Sequence, residues 1–267
     1  MGIKIEDLFG NLRNDGFDLH SALCDVRKEL ADAKNKKDVE SANKLWAVHT
    51  VVDIHLGMVN VFNLLKSNEY YKSWCEAEQI EIKCINLKRN FPGVYPIVED
   101  LYTCVIRLQS LYPYRIFSSY VIKINRETCS ICGKARSLRT DCGHRKGYVY
   151  NGEMCCNIVE QCEFKGVDIV GNPVHKYAVL FPVDKDRNQV DNYDYSLLSG
   201  LMKYWKGPFQ HWIYKVKHIH KPVSDFPDIN EDCLCPCGSG KKYSECCKSD
   251  PEGVKHKIYT FMMEKIQ

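Results

Sequence analysis

The sequence lacks the features that would place the chain in a membrane or outside the cell. No uninterrupted run reaches the roughly 18 apolar residues that a transmembrane helix needs, so we expect no membrane partner. The first residues, MGIKIEDL, contain no apolar segment followed by a small-residue cleavage site, so we expect no secretory signal. Together these absences predict a cytoplasmic protein. Wholesale disorder is also excluded, because 45% of the residues are hydrophobic and 27% are charged.

Cysteine is present in excess, with 15 among 267 residues. An odd number of thiols in a chain without a secretory signal argues against a disulfide framework and favours metal binding. Four cysteines lie among apolar neighbours in residues 1–114 and are predicted to be small buried side chains: Cys24, Cys75, Cys84 and Cys104. The other eleven fall into two groups, six in 129–162 and five in 233–247. This clustering predicts two metal sites.

Charge divides the chain at similar places. Residues 1–114 carry 14 basic and 16 acidic side chains, residues 115–222 carry 17 and 10, and residues 223–267 carry 6 and 8. The net charge of +3 therefore hides a basic middle segment. We predict five parts: a helical bundle over 1–114, a basic zinc-binding α+β domain over 115–222, a linker over 223–230, a zinc module over 231–250 and a C-terminal helix over 251–267.

The first 114 residues have the apolar spacing of helices. Apolar residues recur every three or four positions from Phe17 onward, and Asp38 is placed to cap a second helix. A third helix is predicted from about Glu69 to the breaker at 91–93, and Pro96 suits the first turn of a fourth. Short links between these helices predict an antiparallel bundle. The chain as a whole is predicted to be α+β.

Four polar side chains in the bundle are candidates for an enzyme site. His49 and Asp53 are four residues apart and share a helix face, where they could bind a metal or act as acid and base. Arg13 and His20, with six residues between them, resemble the Arg-to-His motif of HEPN ribonucleases, which are helical bundles. The alternative function is therefore a nuclease or metal-dependent hydrolase with its active site in the bundle. We interpret three glutamates downstream as a solvated face: Glu76, Glu78 and Glu81.

A strand predicted over 115–124 leads into the first cysteine group. CSICG, residues 129–133, is a knuckle in which two thiolates are followed by a glycine that permits the tight turn. CGH, residues 142–144, supplies a thiolate and an imidazole. The predicted ligands of a closed tetrahedral site are Cys129, Cys132, Cys142 and His144. This donor set fits structural Zn²⁺, because a catalytic ion keeps one position open to water.

The ligand assignment of this first site stays open. Three more thiols follow: Cys155, Cys156 and Cys162. They could replace Cys142 or His144 as ligands. The segment 129–155 also resembles zinc-binding segments of uncharacterised bacterial and phage proteins, a resemblance that implies zinc but no activity.

A basic and aromatic stretch covers residues 201–222, with five lysines and no acidic residue. Lysines attract phosphate and aromatic rings stack on unpaired bases, so this stretch predicts contact with nucleic acid. The residues assigned to this contact are Lys203, Lys206, Trp212, Lys215 and Lys217. Alternation in a strand gives the same pattern when the aromatics are core and the lysines are solvated, and both interpretations stay open.

The sharpest pattern is CPCGSGKKYSECC, residues 235–247. Two pairs of thiols separated by a glycine-containing reversal make a four-thiolate clamp in a segment with almost no core, so metal must supply its folding energy. The predicted ligands are Cys235, Cys237, Cys246 and Cys247. The segment resembles the SEC-C motif, the zinc module at the C-terminus of the bacterial translocation ATPase SecA, which implies zinc and contact with a partner protein. The segment GSGKK lacks the spacing of a Walker P-loop, and nothing upstream resembles the ATPase.

These patterns predict a bacterial or phage protein with two structural Zn²⁺ ions per chain. We expect it to act as a protein and/or nucleic-acid interaction module, in stress response or phage defence, rather than as an enzyme. The sequence specifies neither the partner nor the oligomeric state.

Overall fold

The computed structural model describes residues 4–137, 139 and 142–264. The chain divides into two compact units, Met1–Phe209 and Gln210–Gln267. The described residues combine a helical N-terminal region with strands in small sheets, which confirms the α+β class. The boundary between the two units lies inside the predicted 115–222 domain. The basic strand that begins at Trp212 is therefore part of the second unit.

The first unit begins with helices joined by short links. Their bounds are α1 Ile5–Asn11, α2 Leu19–Asn35, α3 Val39–Lys66, α4 Tyr70–Asn90 and α5 Glu99–Gln109. Asp18 and Asp38 cap α2 and α3 by accepting hydrogen bonds from the backbone N–H groups of Ser21 and Ser41. The prediction for Asp38 is thus confirmed. Pro96 lies in a short 3₁₀ turn, Tyr95–Ile97, just before α5 rather than within it.

Helix α3 is the centre of the bundle, and it packs against α2 and α4. By length and composition it is the one helix in the described part of the chain that could cross a membrane, although polar residues interrupt its apolar sequence. However, 67% of its most apolar 18-residue window is buried inside the protein. The helix therefore has the environment of a core helix.

A long two-stranded arm follows the helices. Strands β1 (Phe117–Cys129) and β5 (Asn157–Val170) pair in antiparallel register, and β2 (Ala135–Arg136) adds a short third strand beside the end of β1. Between them, β3 (Val149–Tyr150) and β4 (Glu153–Met154) form a small hairpin. Many apolar side chains of the arm are exposed, including Tyr120 at 70% and Ile169 at 74%.

Helix α4 also anchors the segment that follows the arm. The Glu78 carboxylate is 2% exposed and accepts hydrogen bonds from the backbone N–H groups of Lys176 (2.7 Å) and Tyr177 (2.9 Å). The indole Nε1 of Trp74 donates to the carbonyl of Lys176 at 2.6 Å. The interpretation of Glu78 as part of a solvated face is therefore wrong. Its hydrogen-bond partners are about 100 residues away in the sequence, and the spacing of residues within a helix gives no information about them. Helix α6 (Ser196–Met202) completes the described regular structure of this unit.

The second unit is built on a ten-residue antiparallel pair, β6 (Trp212–Lys221) and β7 (Val254–Met263). The helix predicted over 251–267 is wrong for the described residues, and residues 265–267 lie outside them. In Ile258–Phe261 the aromatic and β-branched side chains favour a strand, and β6 supplies the pairing partner. The segment predicted as a linker contributes Phe226 and Ile229 to the small core of this unit.

Candidate metal centres

The first ligand cluster forms where β1 ends. The ligand atoms of the four predicted residues all lie within 4.8 Å of one another: Cys129, Cys132, Cys142 and His144. The knuckle is closed by a hydrogen bond from Gly133 N–H to the Cys129 carbonyl (2.8 Å), and Gly133 adopts φ +70°. A side chain would be strained in that left-handed conformation, which explains the glycine. The structure thus brings the four predicted residues together in a group that could hold a metal ion.

A fifth candidate ligand, Cys155, lies against the same cluster. Its buried Sγ is 3.8 Å from the Cys129 Sγ, and the Arg136 guanidinium donates to both sulfurs, at 3.2 Å to Cys155 and 3.4 Å to Cys129. The buried Nδ1 of His144 has no hydrogen-bond partner among the described residues. Both groups fit a fourth ligand position, whereas Cys156 and Cys162 are exposed. Of the downstream thiols, Cys155 is therefore the one whose position fits replacement of a predicted ligand, Cys142 or His144.

The electrostatics of this cluster favour a bound cation. Burial disfavours the Cys129 thiolate, but the Arg136 guanidinium and the N–H groups of Cys132 and Ile131 outweigh it and bring the pKa of Cys129 to about 5. Burial and the neighbouring Cys129 sulfur raise the pKa of the Cys155 thiol. One thiolate in this cluster disfavours ionisation of its neighbour. A divalent ion would remove this effect, since it stabilises several thiolates at once.

Two asparagines of the bundle fix the loop that follows the cluster. Asn90 of α4 accepts a hydrogen bond from Val149 N–H (3.0 Å) and donates to the Gly147 carbonyl (2.9 Å). Asn43 of α3 accepts from Gly152 N–H at 2.8 Å. At Gly152, with φ +71°, an added Cβ would lie 2.7 Å from Leu30 and 3.1 Å from the Ala42 carbonyl oxygen. The backbone therefore approaches the helices more closely than any other residue would permit.

The second cluster occupies the loop between β6 and β7. Its four ligand atoms also lie within 4.8 Å of one another: Cys235, Cys237, Cys246 and Cys247. The Sγ atoms of Cys237 and Cys246 are 3.4 Å apart. Gly238 and Gly240 adopt φ of +75° and +73°, which allows the reversal between the two thiol pairs. Cys233, the fifth thiol of the 233–247 group, is exposed.

The small core around this cluster is partly made of the ligands themselves. Cys235, Tyr243, Cys247 and Val254 are buried together. Burial opposes ionisation of Cys237, but hydrogen bonds from Ser239 and from neighbouring thiols lower its pKa to about 6. Burial raises the pKa of Cys247 to about 12. Because the module has so little apolar area, an ion that held all four sulfurs ionised would add much of its stability.

His220, Asp250 and Glu252 of the second unit also lie close together, but they are better described as an ion-pair cluster than as a metal site. His220 contacts Glu252 through Nδ1 at 2.8 Å and Asp250 through Nε2 at 3.5 Å. Both ring nitrogens of His220 therefore already have carboxylate partners. Lys255 also lies 3.5 Å from Asp250 and would repel a cation.

The candidate enzyme residues of the bundle each have separate partners. Asp53 pairs with Lys83 at 2.8 Å, and His49 Nε2 accepts a hydrogen bond from Arg27 at 3.0 Å. Arg13 forms two hydrogen bonds with Asp100 (2.7 and 2.8 Å), whereas His20 is exposed. The described contacts do not join these side chains into one catalytic group.

His55 is buried beside Arg13, a contact that the spacing of residues in the sequence does not reveal. His55 is 1% exposed; its Nδ1 donates to the Val51 carbonyl at 2.9 Å and its Nε2 accepts from Arg13 Nε at 3.4 Å. Burial, helped by the Arg13 charge, lowers the pKa of His55 to about 4. The side chain is therefore a neutral structural group, and the fold must unfold or rearrange to charge it.

This burial predicts a loss of stability in mild acid. The pKa of His55 is lower in the folded protein than in the unfolded chain, so the stabilisation is full above the unfolded pKa and falls as the pH approaches the folded pKa. From pH 7 to pH 5 the free energy of unfolding should fall by about 2 kcal/mol through this group. Denaturant titrations at both pH values measure the loss, and His55→Leu should remove it. His20→Leu, at an exposed histidine, serves as control and should leave the pH dependence unchanged.

The five residues predicted to contact nucleic acid are divided between the two units. Lys203 and Lys206 follow α6 in the first unit, while Trp212, Lys215 and Lys217 lie on β6 in the second. Trp212 is fully buried, so its ring has no exposed face for a base. Lys215 and Lys217 project from the face of the sheet opposite to Trp212, because side chains alternate along a strand.

Comparison with known proteins identifies the second cluster. The sequence model of the SEC-C motif matches residues 234–249. The chain is 59% identical over 27 residues to the protein translocase subunit SecA of Clostridium perfringens strain 13, covering 10% of this chain and 3% of SecA. It is 49% identical over 39 residues to UPF0225 protein plu2503 of Photorhabdus laumondii, covering 14% of this chain and 23% of that protein. No solved structure matches the chain.

These matches confirm a SEC-C motif and are limited to a short segment. The chain spans less than a quarter of the length of these curated relatives. SEC-C motifs bind zinc, and both cysteine-rich clusters could hold a metal ion.

Proposed function

We propose that this chain is a cytoplasmic zinc-binding protein of a bacterium or phage, with two structural Zn²⁺ ions, that acts as a non-enzymatic interaction module. The observation that carries the proposal is the assembly of two separate four-ligand clusters, each with its donor atoms within 4.8 Å. Relatives of the C-terminal segment are bacterial proteins, which supports the proposed origin. The proposal includes a task in stress response or phage defence.

The chemistry of the donors supports zinc in both clusters. Thiolate sulfur and imidazole nitrogen are the preferred ligands of Zn²⁺, and the ion has no geometric preference that the clusters would violate. Four candidate ligands close each site, so neither cluster reserves a position for a reacting water. Arg136 hydrogen bonds to the sulfurs of the first cluster also suit a structural thiolate site.

The interaction role is supported by the exposed surface of the β1–β5 arm, a surface that lies beside the first cluster and takes no part in binding its metal. Strand β1 of the arm leads into the first cluster at Cys129, and both strands expose apolar side chains, among them Tyr120 and Phe164. Contiguous exposed apolar surface on a folded protein is typical of a partner-binding site. The partner is a protein and/or nucleic acid.

Metal analysis of the purified full chain tests the proposal. We expect two zinc ions per chain by elemental analysis and native mass spectrometry, and one after Cys132→Ser or after Cys235→Ser. Retention of zinc against a chelator by His144→Ala and Cys155→Ser then identifies the fourth ligand of the first cluster, with the exposed Cys156→Ser as control. A chain that folds fully without zinc would contradict the proposal.

A further inference from the structure

The β6–β7 pair separates its side chains into two chemically different faces. Directly paired residues of antiparallel strands share a face, and successive residues alternate. One face, which we call the aromatic face, carries at its accessible surface Tyr214, His218, Lys257, Tyr259 and Phe261. The opposite face carries Lys215 and Lys217.

The rings of the aromatic face form a continuous row across the two strands. The centroids of Tyr214 and Tyr259 are 5.6 Å apart, and those of Tyr214 and Phe261 are 6.4 Å apart. All three rings are half-buried, and Trp212 continues the row into the core at 6.3 Å from Phe261. Trp212 therefore packs against one end of the row, and the other three rings keep part of their surface accessible.

The charged side chains of the two strands are of one sign, because neither strand contains an acidic residue. At one end, His220 and Lys255 are balanced by Asp250 and Glu252. Lys257 forms no ion pair with any residue that the structure describes, and it lies directly opposite His218 beside Tyr259. The net positive charge of the aromatic face is thus concentrated next to its rings.

We infer that the aromatic face binds single-stranded nucleic acid, with unpaired bases stacked on Tyr214, Tyr259 and Phe261 and the backbone phosphates drawn to Lys257 and His218. The inference rests on the proposed function, because it names one partner of the interaction module. Stacking on rings requires bases whose flat faces are free, which a single strand offers and a duplex does not. The positive charge beside the rings complements phosphate and excludes a cationic partner.

The test measures binding of labelled single-stranded oligonucleotides to the full zinc-loaded chain at several salt concentrations. We expect both uniform deoxythymidine and uniform uridine strands to bind more tightly than a duplex of the same length; unequal binding of the two would report contact with the 2′-hydroxyl. Tyr259→Leu should weaken binding roughly fivefold or more, whereas Tyr259→Phe, which keeps the ring, should not. Lys257→Ala should reduce the slope of log K against log salt by about 0.7, the value for one phosphate contact in a single strand.

Lys215→Ala is the matched control, since it removes the same charge from the opposite face. If Lys215→Ala and Lys257→Ala weaken binding equally and Tyr259→Leu has no effect, attraction is a general property of charge and the inference fails. It also fails if a chain that retains two zinc ions binds no single strand. In that case the proposed zinc function survives, whereas the absence of zinc from the purified chain would refute the proposed function itself.

Discussion

Replacing Cys247 with serine is expected to release the zinc ion of the C-terminal module and to unfold the segment around it. Cys247 is 1% exposed and forms the buried core of the module together with Cys235, Tyr243 and Val254. A serine hydroxyl does not replace a thiolate ligand, and structural zinc contributes roughly 10–16 kcal/mol of apparent folding free energy in small zinc modules. The apolar core of this module is too small to compensate for that loss.

Hydrogen exchange and metal analysis together measure this effect. We expect the zinc content to fall by one ion per chain and the protected amides of the module to exchange freely. Two such amides are Cys235, which donates to the Lys241 carbonyl (2.7 Å), and Tyr243, which donates to the Cys233 carbonyl (2.8 Å). Cys233→Ser is the control, because Cys233 is exposed and lies outside the four-ligand group. Equal loss of zinc from both variants would show that the ligand assignment is wrong.

The parts of the molecule that local pattern determines could be predicted from the sequence. Helix α4 ends at Asn90, at the predicted breaker, and Asp38 caps α3 as expected. The thiol clusters could be found for the same reason, because most of their ligands lie within a few residues of one another and glycines mark the turns. The SEC-C motif is the extreme case, since thirteen consecutive residues carry the whole site.

The errors arose where a distant segment decides the structure. The last strand was predicted as a helix because its partner, β6, is more than 30 residues away. Cys24 was predicted to be buried but is exposed, whereas Cys84 and Cys104 are buried as expected. In each case the missing information is the identity of the neighbour, which a one-dimensional period does not contain.

Glu78 shows the same limitation and gives the second large prediction. Its carboxylate is the acceptor for two consecutive backbone N–H groups, those of Lys176 and Tyr177, in the segment that follows the arm. Tyr71 and Trp74 hold the same segment by donating to its carbonyl groups, at 2.7 Å and 2.6 Å. Helix α4 therefore satisfies both donors and acceptors of a partly buried loop, at a contact with the buried Glu78 carboxylate where water has little access.

Glu78→Ala should lower the free energy of unfolding by about 3 kcal/mol or more, because it leaves two N–H groups unpaired and hydrogen bonds to a charged group are worth roughly 1.5–3 kcal/mol each. Urea unfolding followed by tryptophan fluorescence provides the measurement, since Trp74 lies at the same contact. Glu78→Gln keeps a carbonyl acceptor and should cost less. Gln79→Ala, at the adjacent exposed helix position, should change stability by less than about 0.5 kcal/mol. If Glu78→Ala were as mild as Gln79→Ala, water would be replacing the carboxylate, and α4 would not be what anchors this loop.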